Sequence, residues 1–304
     1  MDAFALLDGL DGDGDSVLSP YGIRRALDVV RHGARGEARA ALDDVLGPDD
    51  IPAIRAEGVL LAQAAWLRDG YTAGPALTLH TGPLDPEVVN TWARVNTDGM
   101  IPAIVDAFDP DDVLAITDAA FLDKRWVKPF ERAGTRPFEG AGEVQMMRVS
   151  GTFEHADGAI RLPYEGEELR FVAMLGDWRE VEWRSGEGSV ELPPFSIESK
   201  HDLVPELKAL GLGPIFKPGD ELDGLVTGPE PLRVGSVDQR ARVDVDEHGT
   251  RAAAVTTVGI RRLSLGPPPF ELIFDRPFTW AVEHAPTGTL LFVGRVRHPR
   301  ERSH

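Results

Sequence analysis

The chain has 304 residues, 42% of them apolar, no cysteine, and 32 basic against 50 acidic side chains for a net charge of −18. Without cysteine, disulfides, thiol catalysis and cysteine-ligated zinc are excluded. The charge disfavours nucleic-acid phosphates and anionic membranes as partners, and no apolar stretch is long enough to span a bilayer.

In chain order, MDAFALLDGL lacks the basic start and long apolar run of a secretion signal, which predicts a cytoplasmic location. The stretch DGDGDS opens like a calcium loop. Ser16 stands at its sixth position and Gly22 at its twelfth, so a turn before a helix is the better reading. Ser19-Pro20 reads as a helix cap followed by proline in the first turn, with Ile23, Ala26, Leu27 and Val30 at helical spacing. Gly33 and Gly36 interrupt that helix. A second begins near Glu37 and carries Ala41, Leu42, Val45 and Leu46 ahead of Gly47. Asp85-Pro86 opens a third, with Val88, Val89, Trp92 and Val95 on one side. Ile101, Ile104, Val105 and Phe108 predict a short helix after it.

Strand patterns then dominate: VLAITDAAFL, AIRLPY, LRFVAML, SVELPPFSI, ARVDVDE, FELIF, FTWAVEH and TLLFVGRV are rich in β-branched and aromatic residues. DLVPELKALGL interrupts them as a helix ending at glycine. The fold class is α+β, early helices with a large mixed sheet system. Continuous apolar runs such as LLFVG predict strands buried on both faces.

Catalytic signatures are missing. No G-x-S-x-G, H-E-x-x-H, phosphate loop or dinucleotide fingerprint occurs, and the eight histidines are scattered. Nothing nominates a nucleophile with its base, so the chain is not read as an enzyme, and no metal or cofactor is expected.

The segment VDVDEHGTRAAAVTTVGIRRLSLGPPPFEL, from Val243 to Leu272, is unusual. From Gly249 to Phe270 it has no acidic residue but carries Arg251, Arg261 and Arg262. As a strand, Thr250, Ala252, Ala254, Thr256 and Val258 would point one way, and Arg251, Ala253, Val255 and Thr257 the other. The first set is small and uncharged. No proline appears before Pro267, so every amide in the run can join a ladder. A linker would carry more Gly, Ser or Pro, and an edge strand more protective charge. The pattern suits a segment exposed in one state and inserted into a sheet in another.

VDVDEHGTRAAAVTTVGI resembles the hinge and reactive-centre loop of serpins. Other stretches follow in the family's order. SPYGIRRALDVVRHGARGEARAALDDVLG resembles its early helix pair, and VNTWARVNTDGMI the helix crossing the large sheet. TDAAFLDKRWVKPFERAGTRPF resembles the central strand and the turn at Trp126, MMRVSGTF and IRLPYEGEELRFVAML the next strands, and DRPFTWAVEHAPTGTLLFVGRVRHP the closing strand pair. Short spans between Leu46 and Pro86 and between Asp177 and Val190 suggest a shortened member, and the scarcity of lysine beside arginine suggests a bacterial one.

The resemblance implies one domain over residues 1–304 with the serpin fold: early helices on a large mixed sheet, smaller sheets, and an exposed reactive-centre loop at about 247–269. It implies a suicide-substrate inhibitor of serine-type, or else cysteine, proteases. The hinge would comprise Glu247, Gly249, Thr250, Arg251, Ala252, Ala253 and Ala254. Counting from Glu247, the reactive bond would be Leu263–Ser264, with Arg262–Leu263 as the rival. A protease with an apolar specificity pocket, chymotrypsin-like or subtilisin-like, would be the partner; a trypsin-like enzyme is the second choice. The protein is expected to be a monomer. Ser19, Asp118 and Gln239 would form the cluster beneath the sheet opening. There Gly22 replaces a serine, and Asp118 and Gln239 replace the family's asparagine and histidine. The alternative left open is a non-inhibitory serpin: a binding or carrier protein, or a plain protease substrate.

Overall fold

Helix starts follow from local chemistry. In the computed structural model, α1 (Ala3–Leu10) is followed by α2 (Pro20–Gly33), where the Ser19 hydroxyl accepts from the Gly22 amide. The next helix, α3 (Gly36–Leu46), has no cap of its own: the distant Glu221 carboxylate accepts from the Glu37 and Ala38 amides at 2.9 and 3.0 Å. An acid at a helix N-terminus satisfies free donors and opposes the helix dipole. In α4 (Pro86–Asn96), Asp85 caps the amides of Glu87 and Val88. The short α5 (Val204–Leu207) runs on through one wide and one tight turn to Phe216, with Gly211 at φ 101°. The structure describes all residues except 11, 13, 48–50, 52, 55, 98, 100, 230, 231, 236, 251–269 and 301–304.

The largest sheet runs, in spatial order, β1 (Ser16–Leu18), β18 (Thr289–Val296), β17 (Phe278–His284), β10 (Leu169–Leu175), β9 (Ala159–Pro163), β8 (Gly142–Ala156), β11 (Arg184–Leu192) and β16 (Phe270–Ile273). Strand β7 (Glu131–Phe138) also pairs with β8, and only β11–β16 is parallel. A second system is in two halves. One is β4 (His80–Pro83), β2 (Val59–Leu67) and β5 (Leu114–Leu122). The other is β12 (Phe195–Asp202), β14 (Asp238–Val245), β15 (Gly249–Thr250) and β6 (Lys124–Arg125). A two-residue clip joins β3 (Thr72–Ala73) to β13 (Val226–Thr227).

The main core lies between the large sheet and the divided one. Phe171, Phe278, Trp280 and Phe292 meet Phe195, Ile197 and Val243 there. Alternate residues of β17 and β18, Ala281 and Val293, pack instead with α1, α2 and α3. These strands are therefore buried on both faces, as LLFVG predicted. The outer face of β2 and β5 is covered by α4 through Val89, Ala93, Ala64, Trp66 and Ala119.

Three local expectations are corrected. SVELPPFSI is two strands in different sheets, because Pro193-Pro194 offers no amide to continue a ladder. Residues 101–108 form no helix among the described residues. The Asn90 side chain takes the Ile104 and Val105 amides and donates to Val105 O, holding this stretch as bends on α4. On α4 itself Val88 and Val95 are 38% and 72% exposed; the covered side is Val89 and Ala93. Among the described residues no helix is long and apolar enough to cross a membrane.

This packing predicts that Phe171→Ala costs about 3–5 kcal/mol through the cavity it leaves, whereas Val95→Ala changes stability by less than about 0.5 kcal/mol. Denaturant unfolding midpoints of the two variants check the contrast.

Candidate functional site

β5 and β14 lie side by side with no ladder between them among the described residues. At one end they are bridged. Gly249 and Thr250 of β15 pair antiparallel with Arg125 and Lys124 of β6, and Thr250 also pairs antiparallel with Val245 of β14. Two antiparallel pairings in succession make β6 parallel to β14, and β6 continues β5 through Asp123. A strand extended from Thr250 would therefore run antiparallel to both banks. At the bridge the banks stand roughly 10 Å apart, two strand spacings.

The seat of this rung is closely fitted. A β-carbon on Gly249 would stand 2.0 Å from Lys124 O and 2.8 Å from Arg125 Cα, so only glycine lets the strands close. The Thr250 side chain is buried, its hydroxyl 2.6 Å from that of Tyr164. Burial pushes the Tyr164 phenol far above its usual range, so it stays protonated and can donate. Tyr164 stacks on Trp126 with ring centres 4.6 Å apart, and Trp126 Nε1 donates to Asp246 O at 2.9 Å. The Trp126 and Phe130 amides donate to the carbonyls of His248 and Glu247. Lys124 is buried, its ammonium donating to Glu165 O at 3.0 Å.

The turn into the rung is held by Asp246, whose carboxylate accepts from the His248 and Gly249 amides at 2.7 and 3.2 Å. Burial raises its pKa, and those two amides act against the rise. Asp246, Glu247 and His248 place one ligand atom each within 4.8 Å of one another. The Asp246 oxygen is already used by the turn, and Glu247 has Arg132 3.7 Å away. The cluster is accounted for as a turn.

Midway along the slot lies a second group. The Ser19 amide donates to Gln239 Oε1 at 2.7 Å, Gln239 Nε2 returns a bond to Ser19 O at 2.9 Å, and Ser19 Oγ donates to Leu291 O. This reciprocal pair ties the start of α2 to the β14 bank. Asp118, on the β5 bank, is buried, with Arg25 Nη1 3.5 Å away and Gln63 opposite it on β2. Neither carboxylate oxygen closes a hydrogen bond. A β-carbon on Gly22 would meet Asp118 Oδ2 at 2.5 Å. Glycine at 22 and an acid at 118 are thus one adaptation: the missing side chain makes room for the carboxylate. Burial pushes the Asp118 carboxyl up to about 6, with Arg25 and then Gln63 acting against it.

At the foot of the slot an apolar cavity of about 60 Å³ is lined by Leu114 and Ile116, by Leu27 and Val30 of α2, and by Leu225 and Val237. Glu247, Gly249 and Thr250 are thus placed at the bridge beside Trp126, and Ser19, Gln239 and Asp118 at mid-slot. Arg251, Ala252, Ala253, Ala254, Arg262, Leu263 and Ser264 lie outside the described residues. Sequence reading missed Arg25, Gln63, Lys124 and Tyr164. Arg25, one helical turn beyond Gly22, was the one with a usable signal.

Gly249→Ala is expected to expel the rung and cost about 1–3 kcal/mol, and Tyr164→Phe to cost about 1 kcal/mol; shifts in denaturant midpoint test both. Asp118 holds its proton more tightly folded than unfolded. Its contribution to stability is therefore fully present below the ordinary carboxylate range, is lost as pH rises to about 6, and is flat above. Asp118→Asn should gain about 1–3 kcal/mol at pH 7.5 and nothing near pH 4, in melts at both pH values.

A protein-family model described as serpin (serine protease inhibitor) matches residues 71–184 and 173–299. Human neuroserpin is 30% identical over 251 residues, covering 69% of this chain but only 60% of its own length. Bovine leukocyte elastase inhibitor is 26% identical over an alignment of 367 residues, covering 98% of this chain and 97% of its own. Among solved structures, the thermophilic serpin tengpin in its native state superposes with a TM-score of 0.85 at 22% identity, covering 97% of this chain and 92% of its own. Thyroxine-binding globulin in complex with thyroxine superposes at 0.81 with 17% identity, covering 98% and 96%. At such identities the two structures speak for the fold alone. The family match extends over more than half of the sequence and agrees with the fold, so the chain belongs to the serpin family.

Proposed function

We propose that this serpin is a suicide-substrate inhibitor of serine-type proteases whose cut loop inserts as a strand between β5 and β14. One observation carries the reading: the Gly249–Thr250 rung already sits between the two banks, antiparallel to both. Continuing that register one residue at a time gives each inserted residue its neighbours. Ala252 would face the buried Leu122 and Val243. Thr256 would fall between Asp118 and Gln239, its hydroxyl supplying the donor that Asp118 lacks. Val258 would reach Ile116 and Val237 at the apolar foot. On the outer face Arg251 would lie between Asp123 and Asp244, so its charge favours insertion.

In the reaction, the protease serine attacks the Leu263 carbonyl and expels the Ser264 amine as a new chain terminus. The loop stays esterified to the enzyme. Insertion then competes with hydrolysis of that ester. From Thr250 to Leu263 the extended chain spans roughly 46 Å at ~3.3 Å per residue, enough to carry the protease along the sheet. On the order of ten new ladder hydrogen bonds at ~1 kcal/mol each would drive it, comparable to the ~5–15 kcal/mol stability of a protease domain. An apolar specificity pocket suits Leu263; a trypsin-like one would select Arg262 instead.

The test is incubation with chymotrypsin, subtilisin, an elastase and trypsin, followed by denaturing gels and mass spectrometry. A boil-stable adduct and a released peptide beginning at Ser264 are expected, with Leu263 as its first residue if Arg262 is the bait. Arg251→Glu should shift the products from adduct toward free cleaved chain. Clean cleavage by every protease without adduct overturns the inhibitor reading and favours a carrier or substrate, as the shared fold of thyroxine-binding globulin allows.

A further inference from the structure

Asp118 is used by no step above until a strand reaches it, yet its position on the bank of the slot has a cost in the closed state. Both its oxygens are buried without a hydrogen bond, and so are Arg25 Nη1 and Gln63 Nε2 beside it. Arg25 Nη1 is 3.5 Å from the carboxylate and Gln63 lies opposite it on β2, and both oppose the rise in pKa that burial causes without cancelling it. The carboxylate is buried, and it fills the space beside Gly22 itself. A charge buried with incomplete partners is costly, whereas the neutral acid tolerates the same site. Parting β5 from β14 would give the carboxylate water, or the hydroxyl of an incoming strand.

We infer that Asp118 is a proton-controlled brake on opening of the slot: protonated, it lets β5 rest against β14; ionised, it favours their separation. The inference rests on reading the β5–β14 boundary as the place where a strand enters, and it adds what regulates that entry.

The surrounding charges leave Asp118 as the group that titrates there. From α2 the only cation facing it is Arg25, which also lies over the Tyr21 ring. Strand β2 contributes no charged residue. On β14, Gln239 is committed to Ser19, and Arg240 turns to Glu198 and Ala103 O. Asp238 and Asp244 are the acids of that strand, Asp244 being held by Ser196 and Arg242. His201, opposite Gln239 on β12, contacts Val17 O and serves as the histidine control.

The linkage has a definite direction. The closed form holds the proton with a pKa of about 6, against 3.8 for a hydrated carboxyl. Acid therefore favours the closed form, and the opening constant should fall about tenfold from pH 7.5 to pH 5.0 and roughly another tenfold below that, levelling off under about pH 3.8.

Hydrogen–deuterium exchange of peptides from β5 and β14 in the intact chain, corrected for intrinsic rates, reads this directly. Expected are a tenfold larger opening constant at pH 7.5 than at 5.0, a midpoint near pH 6, and no pH dependence in Asp118→Asn, which should stay at the wild-type acid level. A flat wild-type profile, or the same slope in Asp118→Asn, overturns the brake. Should Asp118→Asn fail to fold, Arg25→Gln must raise the midpoint and His201→Gln must leave it in place; any other pattern also overturns it. Failure to trap proteases with the pH profile intact would sink the inhibitor reading alone, and trapping with a flat profile would sink the brake alone.

Discussion

The divided sheet turns on one constraint: β14 and β6, which continues β5, are held one strand apart where Gly249 and Thr250 lie between them. A strand edge presents amides and carbonyls that need partners. The rung satisfies them at one end only. Its own fit is steric at Gly249, where a β-carbon would strike the Lys124 carbonyl, and polar at Thr250, where Tyr164 meets the hydroxyl. Trp126 and Asp246 hold the turn that delivers it.

The two sides of the protein differ in what their separation would cost. The large sheet is fixed by buried aromatics, Phe278, Phe292 and the stacked pair Phe171 and Trp280, and by strands buried on both faces. Along the slot, by contrast, the β5 bank carries Thr117, Asp118 and Ala119. Little apolar area is lost when small and polar residues part, so the middle of this boundary is less costly to open than its apolar ends at Leu122 and at Leu114 and Ile116.

The polar cluster at mid-slot shows how substitutions compensate one another. Gln239 is an amide that bonds Ser19 in both directions. Asp118 introduces a titratable group instead, in space that Gly22 vacates. The two banks therefore differ in character: an amide committed to Ser19 on one, and on the other a buried carboxyl that burial pushes up to about 6.

Local signals in the sequence determined the helix starts at Ser19 and Asp85, the strands buried on both faces near Leu291–Val293, and the small uncharged face of the segment beyond Gly249. Each depends on a cap, a period or a missing proline within a few residues. The order of these stretches was enough to indicate the family. Only the tertiary structure decided that SVELPPFSI serves two sheets, that Asn90 replaces a helix by bends over residues 101–108, and that Val88 and Val95 face solvent. It alone paired Gly22 with Asp118, brought Arg25 and Gln63 to the same carboxylate, and set Tyr164 against Thr250. Those contacts join residues far apart in the chain, and their energies come from burial and close approach, which no local pattern encodes.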